Sequence, residues 1–376
     1  MEPGSHGRTE RIRMITISLC MIVKNEEETL ARCLDTVRDI VDEINLVDTG
    51  STDRTKEIAK KYTDRIFDFK WNDSFSDARN ESFRHATKDY ILYLDADDVL
   101  LEEDRKKLKK LKETLDPSID SVSMYYDAGT DAFGNVTLRY RRNRLLKREK
   151  NFKWHGDCHN YISVSGRIVN SDIAVTHKNK HHAVGRTVSI FEEKKARGDV
   201  FSPRDYFYYG NELRENGKFK KAIKSYNRNL ATTEGWVEDK IFACIFKADC
   251  FRALGNQEKE LDSLFQSFRY AAPRAEACCR IGDVFRKKAQ DKIAVFWYEQ
   301  AAQQVPDPAR WSFIYMAYYT WYPHLQLCVS YYKLGDLKKS YEHNEKAAQY
   351  RPGDANVIHN KEFFSKLISE GKLKAV

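Results

Sequence analysis

Two rhythms of apolar spacing alternate along the first 200 residues. The runs "MITISLCMIV", "EINLVDTG", "RIFDF" and "YILYLDA" have the length of strands and few polar interruptions. Between them lie "EEETLARCLDTVRDIV", "DRTKEIAKKY" and "SDARNESFRHAT", where apolar residues recur at helical spacing. The alternation predicts strand, helix, strand, helix, and so an α/β domain whose mostly parallel sheet is covered on both faces. Asn25 before Glu26-Glu27-Glu28, and Ser51 or Thr52 before "DRTKEIAKKY", are expected to cap the following helices. From "SVSMYYD" through "NVTLRY", "YISVSG" and "DIAVTH" short strands dominate, which predicts a mixed end to the sheet.

After Phe201 the pattern is helical and repeats. "YYGNELRENGKFKKAIKSYNRNL" carries Gly210, Leu213, Gly217, Ala222 and Tyr226 at the offsets of a tetratricopeptide helix pair. Comparable registers follow around Gly255, Ala289 and Gly335, with an aromatic insertion, "RWSFIYMAYYTWY", at 310–322. Four units predict a small all-α solenoid with a concave surface. The expected organisation is a polar leader or cloning remnant over 1–13, an α/β domain over 14–200 and a repeat domain over 201–376.

Composition narrows the function classes. A chain of 376 residues, 41% hydrophobic and 32% charged, has enough apolar material for two packed cores. No apolar run approaches the roughly 20 residues of a membrane span, so none is expected. The net charge of +8 raises the question of nucleic acid. No recognition motif or aromatic platform accompanies the basic runs, and "DRKKLKKLKE" reads as a solvated helix face, so nucleic acid is excluded. Eight cysteines without a CxxC pair, mostly in apolar patterns, indicate reduced thiols and a cytoplasmic protein.

In an open α/β sheet, ligands gather beyond the carboxyl ends of the strands. "KNEE", "DTGSTD", "DSFSDARN" and "DADD" follow the first four strands, so one crevice can collect Asp48, Arg79, Asn80, Asp95 and Asp97. Asp95 and Asp97 repel each other unless something neutralises them. A divalent cation does so economically, and Mg2+ or Mn2+ held by few carboxylates completes its shell with water and substrate phosphates. The same Asp-x-Asp also describes a solvated turn, with Asp98 capping the next helix.

The ordered set "SLCMIVKNEEETLARCL", "NLVDTGSTDRT", "FSDARN" and "YILYLDADD" resembles the nucleotide-sugar-binding half of inverting GT-A glycosyltransferases of family 2. "FKWHGDCHNYI" and "IAVTHKN" are similar to elements of a bacterial branch, including sublancin-type peptide glycosyltransferases, in which this domain precedes tetratricopeptide repeats. The resemblance implies a Rossmann-like GT-A domain followed by the solenoid. It implies that Asp48 accepts the uracil imide N–H, with Ile22 and Glu26 flanking the base. Arg79, beside Asn80, faces the nucleotide or its diphosphate; Asp95 meets the ribose or metal; Asp97 binds the metal, and His177 is a further metal or phosphate ligand. From the residues alone, Arg79 is equally able to pair with Asp77, and His177 to be a strand-end histidine.

Where those relatives read His-Glu, this chain has His159-Asn160, and Asn160 cannot take a proton. Asp157 and His159 are then the candidates for the catalytic base. The reading is a metal-dependent inverting transfer of a hexose from a UDP-sugar to a peptide or protein side chain, or to a saccharide. The alternative is a catalytically degenerate scaffold acting through its repeats, which also offer a surface for dimerisation.

Overall fold

The computed structural model describes residues 14–156, 159–178 and 186–374, apart from the side chains of 186 and 187; the leader at 1–13 and the base candidate Asp157 lie outside the described residues. The chain divides into two compact units, one of residues 1–129 with 140–181, the other of 130–139 with 182–376.

The first unit opens with β1 (Ile17–Val23), α1 (Leu30–Asp35), β2 (Glu43–Asp48), α2 (Thr55–Ala59), β3 (Ile66–Asp68), α3 (Phe75–Arg84) and β4 (Tyr90–Tyr93). β5 (Asp98–Val99), α4 (Glu102–Thr114), β6 (Ser121–Thr130), β7 (Val136–Lys147), β8 (Lys153–His155), β9 (Tyr161–Ser163) and β10 (Ile168–His177) follow. The main sheet runs β3-β2-β1-β4-β7-β6-β10-β5, while β8 and β9 form a separate ribbon. β3, β2, β1 and β4 are mutually parallel, whereas β7 lies antiparallel to β4 and β5 antiparallel to β10. This is the expected parallel sheet with a mixed end.

Strand alternation distributes the core over both faces. Ile17, Leu19, Met21 and Val23 pack with Leu30, Leu34, Leu46, Leu92 and Leu108 on one face. Cys20, Ile91, Tyr93 and Leu146 join Phe83 and Trp154 on the other. The basic helix α4 buries Leu108 and turns Lys107, Lys109 and Lys112 to Asp172, Asp39 and Asp42, as a solvated face does.

The caps differ from expectation. α1 begins only at Leu30, and no side chain caps it. Asn25, in the left-handed region at φ 55, instead joins two loops: its N–H donates to Ser51 Oγ at 3.0 Å, and its Oδ1 accepts from Thr52 N at 2.8 Å. Loop closure takes the side chain that local sequence assigned to the helix.

The second unit holds α5 (Arg186–Ala196), α6 (Pro203–Glu215), α7 (Phe219–Ala231), α8 (Val237–Ala253), α9 (Gln257–Gln266), α10 (Ala275–Lys287) and α11 (Asp291–Ala302). It closes with β11 (Ile314–Tyr315), α12 (Trp321–Lys333), α13 (Leu337–Ala348) and α14 (Ala355–Ser369). Helices α6 to α13 pack as successive hairpins of a tetratricopeptide-type solenoid. Their turns need the left-handed backbone, met at Gly217, Gly255 and Gly335 and, against steric preference, at Ala289 with φ 55. A Cβ on Gly210 would stand 2.5 Å from the Tyr226 ring and one on Gly282 2.7 Å from Tyr298, so neither helix pair admits alanine without moving.

The aromatic insertion is largely tied down inside this unit. Arg310 donates to the fully buried Glu276 at 3.1 Å and to Tyr319 Oη at 2.7 Å, and Tyr322 Oη donates to Asp283 at 2.8 Å. Trp311 remains on an open cavity of about 590 Å³ with Trp236, Arg274 and Val305. Among the described residues no helix is long and apolar enough to cross a membrane.

Candidate active site

β1, β2 and β4 run parallel, so their carboxyl ends share one edge; Val23 pairs with Asp48 there. Asp48 is almost wholly buried. Its Oδ2 accepts from Gly50 N at 3.1 Å and Ser51 N at 3.0 Å, with Lys56 Nζ at 3.6 Å. Its Oδ1 is buried with no partner. An acceptor so enclosed costs free energy unless a donor arrives, which suits a ligand N–H. Ile22 is a half-buried β1 residue, and Glu26 donates its backbone N–H to Thr55 Oγ1 at 2.7 Å. Burial pushes the Glu26 carboxyl up, opposed by the Thr29 hydroxyl and reinforced by Asp97, Asp95 and Asp53.

Three arginines, rather than a cation alone, answer the repulsion in "DADD". Arg79, on α3, reaches Asp95 Oδ1 at 2.5 Å instead of Asp77. Arg142 lies 3.9 Å from Asp95 Oδ2. Arg144, fully buried, donates to Asp98 Oδ2 at 3.1 Å and to Tyr93 O at 3.0 Å. Burial alone would raise the Asp95 carboxyl, yet Arg79, Arg144 and Arg142 hold it well below the usual carboxylate range. The β4–β7 pairing, with Leu92 opposite Leu145, explains the arrangement: continued outward, that register sets Arg142 opposite Asp95.

Asp98 is therefore more than a helix cap. It is fully buried, its Oδ2 also accepts from Asp95 N at 3.1 Å, and β5–β10 pairing sets His177 directly opposite it. His177 Nδ1 lies 3.3 Å from Asp97 Oδ1 and 3.4 Å from Asp98 Oδ1. Burial lowers the imidazole pKa, but hydrogen bonds and charge from Asp97 and Asp98 outweigh it and raise it to about 9. Asp97, Asp98 and His177 can each offer a ligand atom within 4.8 Å of the others, and among the described residues they form the group able to hold a metal ion. Asp95, expected to share that role, lies outside this trio, and its carboxylate is paired with Arg79.

Asn80 turns both ends of its carboxamide to the Trp154 backbone, donating to its carbonyl at 3.1 Å and accepting from its N–H at 2.9 Å. It thus clasps β8 rather than presenting a free group to a ligand. Arg79 stacks 4.8 Å from the Trp154 ring, and Arg79 Nε and Trp154 Nε1 are buried donors with no acceptor. His159 precedes β9 with a left-handed backbone at φ 47, and Asn160 Nδ2 nearby is likewise a buried donor without a partner.

Sequence reasoning missed Asp98, Arg142, Arg144 and Trp154. One signal was present: in "RYRRNRLLK", Tyr140, Arg142 and Arg144 alternate, which puts them on one face of a strand.

A mixed α/β sheet whose parallel part carries an Asp-x-Asp turn and the buried Asp48 on its carboxyl edge is the arrangement that the resemblance to GT-A glycosyltransferases implies. Residues 18–170 match the family model of Glycosyl transferase family 2. The SPbeta prophage-derived glycosyltransferase SunS of Bacillus subtilis is 29% identical over 231 residues, covering 57% of this chain and 53% of SunS. A TPR repeat-containing protein of Synechococcus elongatus is 50% identical over 88 residues, 23% of this chain and 22% of its own. An uncharacterized glycosyltransferase, RT0209, of Rickettsia typhi is 36% identical over 92 residues, 24% of this chain and 30% of its own. The chain spans about half the length, or less, of these curated relatives.

Proposed function

We propose that the chain is a metal-dependent, inverting glycosyltransferase that moves a hexose from a UDP-sugar to a peptide or protein side chain, or to a saccharide. The observation that carries this reading is the unpartnered, buried Oδ1 of Asp48 on the same strand edge as the Asp97–His177 pair. A uracil imide N–H supplies the donor that Asp48 lacks.

The donor set fits a divalent cation. Asp98 already has Arg144 as counter-charge, so Asp97 and His177 are the groups left to hold Mg2+ or Mn2+, few enough to leave room for phosphate oxygens. When bound, such an ion neutralises charge developing on the leaving diphosphate. His177, whose pKa its acidic neighbours raise to about 9, must release one ring proton to serve as a ligand. Arg79, held by Asp95 and by the Trp154 ring, keeps its buried Nε–H for a phosphate or sugar oxygen. Inversion requires in-line attack by an acceptor whose proton passes to a base, and Asp157 and His159 are the candidates in this chain. The second unit is proposed to present the acceptor or a partner copy, with Trp311 and Trp236 on its open cavity as anchors. The seven described cysteines are buried free thiols, in keeping with a reducing cytoplasm.

Thermal-shift measurement with UDP-sugars, with and without Mn2+, tests this. A ligand at a hundred times its Kd stabilises by about 2.7 kcal/mol. The expected result is a manganese-dependent shift for at least one UDP-sugar, abolished in Asp97→Asn. No shift with any UDP-sugar in Mn2+ or Mg2+ would favour the scaffold reading instead.

A further inference from the structure

The three arginines around the acids are not equivalent, and the difference singles out one of them. Arg144 has no exposed side-chain surface and is fixed between Asp98, the Tyr93 carbonyl and the Tyr93 and Tyr126 rings. Arg79 is 11% exposed and makes a close pair with Asp95. Arg142 is 34% exposed, and its contact with a carboxylate is the longest of the three, 3.9 Å. Its guanidinium lies 4.7 Å from the Tyr126 ring centre and 5.4 Å from that of Tyr140, and Nη2 donates to Tyr140 Oη at 3.1 Å. The two tyrosines hold the cation in place while leaving most of its five N–H donors without a close acid.

Its neighbours say what those donors face. Tyr126, on which Arg142 stacks, lies 5.6 Å from the His177 ring, and His177 touches Asp97. Arg142 therefore has Asp95 as its near acid, and the Tyr126 ring links it to the Asp97–His177 pair. A diphosphate whose oxygens complete the shell of a cation on that pair has only the Tyr126 ring to cross before it meets a partly exposed, pre-oriented fork, and arginine pairs with phosphate oxygens two at a time.

We infer that Arg142 is a phosphate-gripping residue of the donor site, binding the diphosphate of a nucleoside diphosphate sugar and stabilising it as the leaving group. This rests on the donor reading above. The competing account makes Arg142 a packing residue that covers Tyr126 and Tyr140. The two accounts differ in what they predict for ligands that share a base but not a diphosphate.

Calorimetry of uridine and uridine diphosphate binding to the full chain, in Mn2+ and in chelator, separates them for wild type, Arg142→Gln and Arg142→Lys. Loss of a charge-assisted contact should weaken uridine diphosphate by about 10- to 150-fold in Arg142→Gln. Uridine should change by less than about twofold. Arg142→Lys, which keeps the charge but not the fork, should fall between wild type and Arg142→Gln. Raising the salt should weaken the diphosphate less in Arg142→Gln than in wild type. Equal losses for uridine and its diphosphate, with Arg142→Lys no better than Arg142→Gln, would make Arg142 a packing residue. Unchanged diphosphate affinity would also overturn the inference, while leaving the donor reading intact. A wild-type chain blind to uridine diphosphate in both conditions would instead overturn the donor reading, and this inference with it.

Discussion

Replacing Asp98 by asparagine should loosen the centre of the first unit, whereas the same change one residue earlier should not. Asp98 and Arg144 are both without exposed surface, 3.1 Å apart, and Arg144 cannot shed its charge. The carboxamide of Asp98→Asn would keep a hydrogen-bonding shape but leave a buried guanidinium without a counter-ion, and breaking a buried pair in this way costs about 3–5 kcal/mol. Tyr93 O and the two aromatic rings remain to Arg144, which argues for the lower end of that range. The six tryptophans span both units, so whole-chain fluorescence would blur the effect. Amide hydrogen exchange resolves it by segment. In peptides covering β4 and the Tyr140–Lys147 part of β7, exchange should accelerate by about two to three and a half orders of magnitude. Asp97→Asn removes one negative charge from a cluster of like charges at a position that water still reaches, and its exchange should stay within about threefold of wild type. If Asp98→Asn exchanges as slowly as Asp97→Asn, Arg144 does not depend on its partner and the account of the acidic turn fails.

Three other expectations are open to direct measurement. Asp48→Ala should weaken uridine diphosphate by roughly 1.5–3 kcal/mol, the range for a hydrogen bond to a charged group, and calorimetric affinity equal to wild type would remove Asp48 from the site. His324 and His343 meet Nδ1 to Nδ1 at 3.0 Å; burial, with Lys346 charge and, for His343, the His324 charge, lowers their pKa values from 6.5 to about 4 and about 3. The unfolded chain then binds more protons below pH 6.5, so stability of the second unit should fall as pH drops from 6.5 toward 3, and His343→Gln should flatten that profile in a pH series of melting curves. Ala289→Gly should stabilise the α10–α11 turn by roughly 0.5–1 kcal/mol by relieving its left-handed backbone, and a lower melting temperature would show that the strain is not there.

The alternation of apolar rhythms made the sheet, its parallel part and the helical repeats readable, because each depends on period alone. That Asp48, Asp95 and Asp97 sit along one edge was legible because the carboxyl edge of a parallel sheet follows from the strand order. What brings His177 to Asp97 is an antiparallel pairing between β5 and β10, 79 residues apart at His177 and Asp98, and no local pattern encodes it. The same holds for Arg142 and Arg144, whose partners are fixed by the register between β4 and β7. The loop latch of Asn25 and the clasp of Asn80 on Trp154 were not legible for another reason: a short polar side chain serves a helix cap, a loop latch or a backbone clasp equally well, and tertiary contacts decide among them.

Arg144 and Arg142 share a strand, two residues apart, but not an environment. Ionic strength acts on charges that water can reach and hardly at all on a pair sealed from it. Changing the medium from dilute buffer to concentrated salt should thus leave the acidic turn held in shape by Arg144 while dimming the field that Arg142 presents outward. The scaffold of the edge and its pull on anions are separately adjustable, and a variant tuned for saline conditions could alter the outer arginine without disturbing the inner one.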